Sequence, residues 1–237
     1  MKPEMIDELI SASDNRQAIY SFLARTYAVE FTAETLKELA ENRGLWSRLA
    51  EGPEIRGTEL AEGFKTLAEF AAKLNGSDLE TARLELAVEY AGLFLGVRQV
   101  PPHPSESVYT GKGRLLMQKP RDDVMKIYRR MGLERSSEFN EPEDHIAVEL
   151  QFMADLSGKS GEALRTGDLV EAKNCLEVQR DFVSEHLIKW VPMLAKDILR
   201  GAQREFYKAI AKITEGYVRI DRDVLVQMID GLPLPRS

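Results

Sequence analysis

The stretch Asn140-Glu141-Pro142-Glu143-Asp144-His145-Ile146-Ala147-Val148-Glu149-Leu150-Gln151-Phe152-Met153 joins a helix start to an apolar run. Asn140 offers a side-chain oxygen to the unpaired N–H groups of a first helical turn. Glu143 stands three residues on, as in a capping box, and Pro142 is tolerated where its missing N–H has no partner to lose. Beyond this start Ile146, Leu150, Met153 and Leu156 recur at helical spacing, so one face is predicted buried. Glu141, His145 and Glu149 fall four apart on a second face, predicted to stay available. Carboxylates in a first turn are favoured by the helix dipole and by themselves ask for no function. A histidine beside Asp144 asks for more, because carboxylates hold an imidazole charged or oriented.

The same periodicity extends in both directions. Apolar positions predict helices over 6–27, as two helices or one kinked at Ser11-Ala12-Ser13-Asp14-Asn15, and from Phe31-Thr32 through Leu36 and Leu39 to a break at Asn42-Arg43-Gly44. A clear amphipathic helix covers 58–74. Ser77 and Glu80 form a capping box before a helix through Leu84, Tyr90 and Leu93 whose last turns are apolar all round, which predicts a central position. Further helices open at Lys119-Pro120, at Asn140 running to about 156, at Leu169 and near Phe206. Ser157-Gly158-Lys159-Ser160-Gly161 reads as a turn, and Pro192 as a bend or restart. No segment alternates with period two for long enough to make a strand, so the fold class is all-α, a helical bundle of about ten helices. The chain of 237 residues fits one all-helical domain over 1–237, with a lobe boundary near 133–142. The Pro/Gly-rich loop 96–113 is either the wall of a binding cleft or a linker between two lobes.

Composition narrows the function. A net charge of −7 argues against a nucleic-acid partner and is compatible with a cationic one. The only cysteine is Cys175, which excludes an intrachain disulfide and a cysteine-rich metal cluster and suits a reducing cytoplasm. No apolar run is long enough for a membrane span, and acids interrupt the N-terminal segment where a signal peptide needs an apolar core.

Three chemistries remain. A metal-dependent enzyme would draw on His145 and His186 with nearby carboxylates, but neither the Glu/His spacing of di-iron bundles nor an HExxH motif is present. Nucleophilic catalysis would need a base near Cys175 or a Gly-x-Ser-x-Gly elbow, and the sequence has neither. A binding module would use what is present: an acidic helix start to select arginines by bidentate pairing, and aromatic or apolar surface for the rest of a peptide.

Four motifs in order, Tyr90-x-x-Leu93-Phe94-x-Gly96, Pro104-x-x-Ser107-Val108-Tyr109, Glu141-Pro142-Glu143-Asp144-His145 and Phe182-x-x-x-His186-x-x-x-Trp190-x-Pro192, resemble the TorD/DmsD/NarJ family of redox-enzyme maturation chaperones over about half the chain. The resemblance implies an all-helical, non-enzymatic, cytoplasmic chaperone without a cofactor of its own. Its partners would be the apo form of a molybdoenzyme catalytic subunit and that subunit's twin-arginine signal peptide. It implies a homodimer as one assembly state, since some relatives exchange a helical lobe. Carried over by position, the peptide-binding residues are Tyr109, Glu141, Asp144, His145, His186 and Trp190, with Glu141 and Asp144 as arginine receptors.

Overall fold

In the computed structural model, which describes residues 3–76, 78–96, 102–135 and 139–233, every regular element is helical. The elements are α1 (Pro3–Ala28), α2 (Ala33–Glu41), α3 (Arg43–Ala50), α4 (Glu59–Leu74), α5 (Leu79–Phe94), α6 (Glu106–Thr110), α7 (Lys119–Arg130), α8 (Ile146–Thr166), α9 (Leu169–Phe182), α10 (Ile188–Gly201) and α11 (Glu205–Asp230). A π-helical turn, Val183–Leu187, joins α9 to α10, and Ile188 N–H reaches back to Val183 C=O across it. Strands are absent among the described residues. Side chains start several helices: Thr32 and Thr35 cap α2 reciprocally, Thr58 accepts from Ala61 N–H, and Asp168 from Glu171 N–H. Ser77, expected to cap α5, lies outside the described residues, as do residues 97–101 of the long loop; Asp78 takes Glu80 N–H at the start of α5.

The chain forms two compact units, the first from residues 1–27, 105–190 and 219–237, the second from 28–104 and 191–218. In the first unit α1 is one unbroken helix through Ser13, Asp14 and Asn15. Ser157-Gly158-Lys159-Ser160-Gly161, expected as a turn, lies inside α8. The reason is close packing. A Cβ on Gly158 would meet Gln17 Nε2 at 2.7 Å, and one on Gly161 would meet Ser13 Cβ at 3.3 Å. Ser160 Oγ lies 3.2 Å from Ser13 Oγ, and Arg165 pairs with Asp14. Small and hydroxyl residues here let α1 and α8 approach and satisfy their polar groups inside the contact. On the side of α1 that meets α11, Arg16 forks onto Asp221 at 2.6 and 2.9 Å, and Tyr20 donates to the same carboxylate at 2.6 Å, all buried. The aromatic heart of this unit is Tyr128, Phe152 and Phe182, with ring centroids 4.6 to 6.1 Å apart.

The second unit packs Phe31, Phe70 and Tyr207 around Phe206, and Trp46 stacks on Phe64. Two glycines set the approach of α4 to α11. A Cβ on Gly216 would lie 2.6 Å from Leu60 Cβ, and one on Gly63 would lie 2.9 Å from Ile213 Cγ1. Glu89 holds the start of α11 through the N–H groups of Gln203 and Arg204. The central position expected for α5 is only half met: Leu86, Tyr90 and Leu93 are buried, but Leu84 and Val88 face solvent.

Candidate functional site

All six candidate residues belong to the first unit, where two separated segments are stitched together. Glu106 N–H donates to Asp144 O at 2.9 Å, Ser107 N–H donates to Asp144 Oδ2 at 2.8 Å, and Ser105 pairs with His145 in an isolated antiparallel bridge. The acidic segment therefore receives the orphan N–H groups that open α6. Asp144, expected to receive an arginine, is fully buried; its Oδ2 is engaged with the backbone and its Oδ1 is buried with no partner. The helix also starts later than the sequence suggests. Pro142 and Glu143 lie in a turn, and α8 is capped by His145, whose Nδ1 accepts Ala147 N–H at 3.1 Å. In the neutral imidazole this places the proton on Nε2.

A second layer of contacts lies beneath. His186, at the end of the π turn, places Nδ1 2.8 Å from Glu106 Oε2, and Trp190 Nε1 donates to Glu149 Oε2 at 3.0 Å. Phe182 stacks on His186, and Tyr109 on Trp190 with centroids 5.8 Å apart. Glu149 is fully buried; burial above all, and then the charge of Glu106, holds its carboxyl protonated well above the usual glutamate range. Residues that read in the sequence as an accessible peptide site are thus, for His145, His186, Trp190 and Asp144, the floor of one. Tyr109 is half-buried above Trp190, and Glu141 is exposed on the segment that Asp144 anchors.

Glu106 and Glu149 join these residues without having stood out in the sequence. Glu149 does leave a signal, a single acid inside the apolar run Ile146-Ala147-Val148-Glu149-Leu150. Its expected place on an available face is corrected by the structure, because α8 is buried on both faces. Glu143, which the sequence marks only as a cap, is an ion-pair centre. Arg121 Nε lies 2.5 Å from its Oε2 and Arg135 Nε 3.7 Å from its Oε1. Burial opposes its ionisation, but the bond from Arg121 and the charges of both arginines outweigh that and hold the carboxyl below its usual value. Tyr128 Oη donates to Glu143 O, tying the turn to α7.

No group of His, Cys, Asp and Glu among the described residues is arranged to hold a metal ion, and no helix among them is long and apolar enough to cross a membrane. Residues 57–196 match the family model described as nitrate reductase delta subunit. The chain is 30% identical over 223 residues to the chaperone protein TorD of Photobacterium profundum, covering 93% of this chain and 99% of that protein. It is 30% identical to the chaperone protein TorD of Aliivibrio fischeri, covering 91% and 97%, and to that of Vibrio cholerae, covering 95% and 98%.

Proposed function

From the membership of this chain in the nitrate reductase delta subunit family, with TorD chaperones among its relatives, we propose that it is a molybdoenzyme-maturation chaperone, not an enzyme, that binds the twin-arginine signal peptide of an apo-enzyme of the DMSO reductase family in the cytoplasm and keeps it until cofactor insertion precedes export.

One observation carries the peptide-binding part. The segment 141–145 is fixed by Asp144 to α6, and it presents one exposed carboxylate, Glu141, next to Glu143, which already attracts two guanidiniums. Glu141 is the arginine receptor, and Tyr109 supplies an aromatic face above Trp190 for stacking or apolar contact. Asp144, His145, His186 and Trp190 act from below, by fixing the height and angle of that surface.

Calorimetric titration with a twin-arginine signal peptide from a neighbouring molybdoenzyme gene product tests this. Replacing both arginines by lysine keeps the charge but removes the fork. The native peptide should bind, the lysine peptide should bind more weakly, and Glu141→Gln should lower affinity for the native peptide by roughly 1.5–3 kcal/mol, the worth of a charged hydrogen bond. Equal affinity for both peptides in the native chain and in Glu141→Gln would refute arginine selection at this segment.

A further inference from the structure

The loop after α6 shows three consecutive large apolar side chains to solvent: Leu115 is 64% exposed, Leu116 41% and Met117 61%. No other two exposed large apolar residues among the described residues are adjacent in sequence. The loop is also held in a shape that costs energy. Arg114 and Met117 adopt left-handed backbone conformations, φ 54° and 58°, that side-chain-bearing residues rarely take. Gln118 clips it. Its Oε1 accepts Lys112 N–H at 2.8 Å, its Nε2 faces the carbonyls of Leu115, Lys112 and Ser107 at 2.6, 3.0 and 3.4 Å, and its own N–H donates to Ser107 Oγ. A Cβ at Gly111 would lie 2.4 Å from Ser107 O, so only glycine lets the clip close. From Ser107 to Arg121 the chain has Lys112, Arg114, Lys119 and Arg121 and no acid, in a protein of net charge −7.

We propose that residues 112–118 form a preshaped prong that seats Leu115, Leu116 and Met117 in an apolar, acid-rimmed pocket on the folded part of the client apoenzyme. This rests on the chaperone reading above and adds a second grip, apart from the signal peptide. Two features select a folded protein as the occupant. Strained backbone held by a dedicated side chain gives the apolar tip a fixed outline, which a shaped pocket requires and a fluid surface does not. The flanking cations complement an acidic rim.

The test uses the apo-molybdoenzyme encoded beside this chain, prepared without its signal segment, and the signal peptide separately. Leu115→Ser with Met117→Ser, both exposed, should weaken binding of the signal-less apoenzyme at least about tenfold and leave signal-peptide affinity unchanged. Gln118→Ala keeps every apolar side chain but opens the clip, and should weaken the same binding about fivefold through lost preorganisation. Native affinity in the serine variant, native affinity in Gln118→Ala, or an equal loss on the signal peptide would each overturn the prong. If the native chain binds the signal peptide but not the signal-less apoenzyme, the prong alone is overturned; if it binds neither, the chaperone reading falls with it. Sedimentation with phosphatidylglycerol–phosphatidylethanolamine vesicles that the serine variant loses, with apoenzyme binding intact, overturns it in favour of a lipid surface.

Discussion

Glu149→Gln should make the first unit less sensitive to rising pH. The native carboxyl is fully buried and accepts Trp190 Nε1–H at 3.0 Å, and an amide oxygen can take the same bond without a titrating proton. In the unfolded chain Glu149 ionises near 4.5, whereas burial and Glu106 raise it in the folded chain. A raised folded value means that the group's stabilisation is complete below the ordinary value and is lost as pH rises through the folded one. In that window the native state binds one proton more than the unfolded state, so stability falls by up to about 1.4 kcal/mol per pH unit. With a urea dependence of about 2–3 kcal/mol per molar, the midpoint should fall by about 0.5–0.7 M per pH unit relative to the variant. The two tryptophans make the measurement specific, because Trp46 lies in the second unit and Trp190 in the first. In a Trp46→Phe background, urea titrations followed by Trp190 emission between about pH 5 and 8 compare the Glu149→Gln chain directly with the one that keeps Glu149. A difference between the two that stays constant across that range would refute a protonated Glu149.

Gly216→Ala should destabilise the second unit by about 1–3 kcal/mol despite the better helix propensity of alanine, since the new Cβ meets Leu60 backbone and Cβ atoms with no room to yield; Trp46 emission against urea reads it. Arg16→Ala or Asp221→Ala should each cost about 3–5 kcal/mol by leaving its partner buried and charged, while Arg16→Met with Asp221→Leu should be more stable than either single change in thermal melts. Cys175, whose thiol burial and Glu171 push up to about 12, should resist a disulfide reagent at mildly alkaline pH in the folded protein and react fully in urea; rapid native reaction would contradict its burial.

Helix positions are legible because apolar spacing in α4, α7 and α9 follows one rule of local geometry. What local geometry misreads is punctuation whose purpose is tertiary. Ser157, Gly158, Ser160 and Gly161 carry the composition of a turn, yet α1 needs small residues opposite it, and no local pattern names the partner helix. Asn140 and Glu143 satisfy a capping pattern, but Asp144 is drawn to the start of α6, thirty-seven residues away, and the helix begins after it. The site is legible in its residues and not in their depth. Trp190 and His186 stand out as a pair four apart, while Glu106 and Glu149, to which they bond, come from two other elements that only folding brings near.

The π turn at Val183–Leu187 has a consequence for sequence length itself. A π turn holds one residue more than the α-helical turn it replaces, so a single codon lost there would relax it into regular helix while leaving every neighbouring residue chemically unchanged. Each residue advances a helix by about 100°, so Ile188, Lys189 and Trp190 would all turn by that amount. Trp190 Nε1 would no longer reach Glu149, nor its ring Tyr109. At this place the reading frame of the helix, rather than the identity of any side chain, sets the floor of the site, and a conservative point change there would be tolerated far better than a deletion.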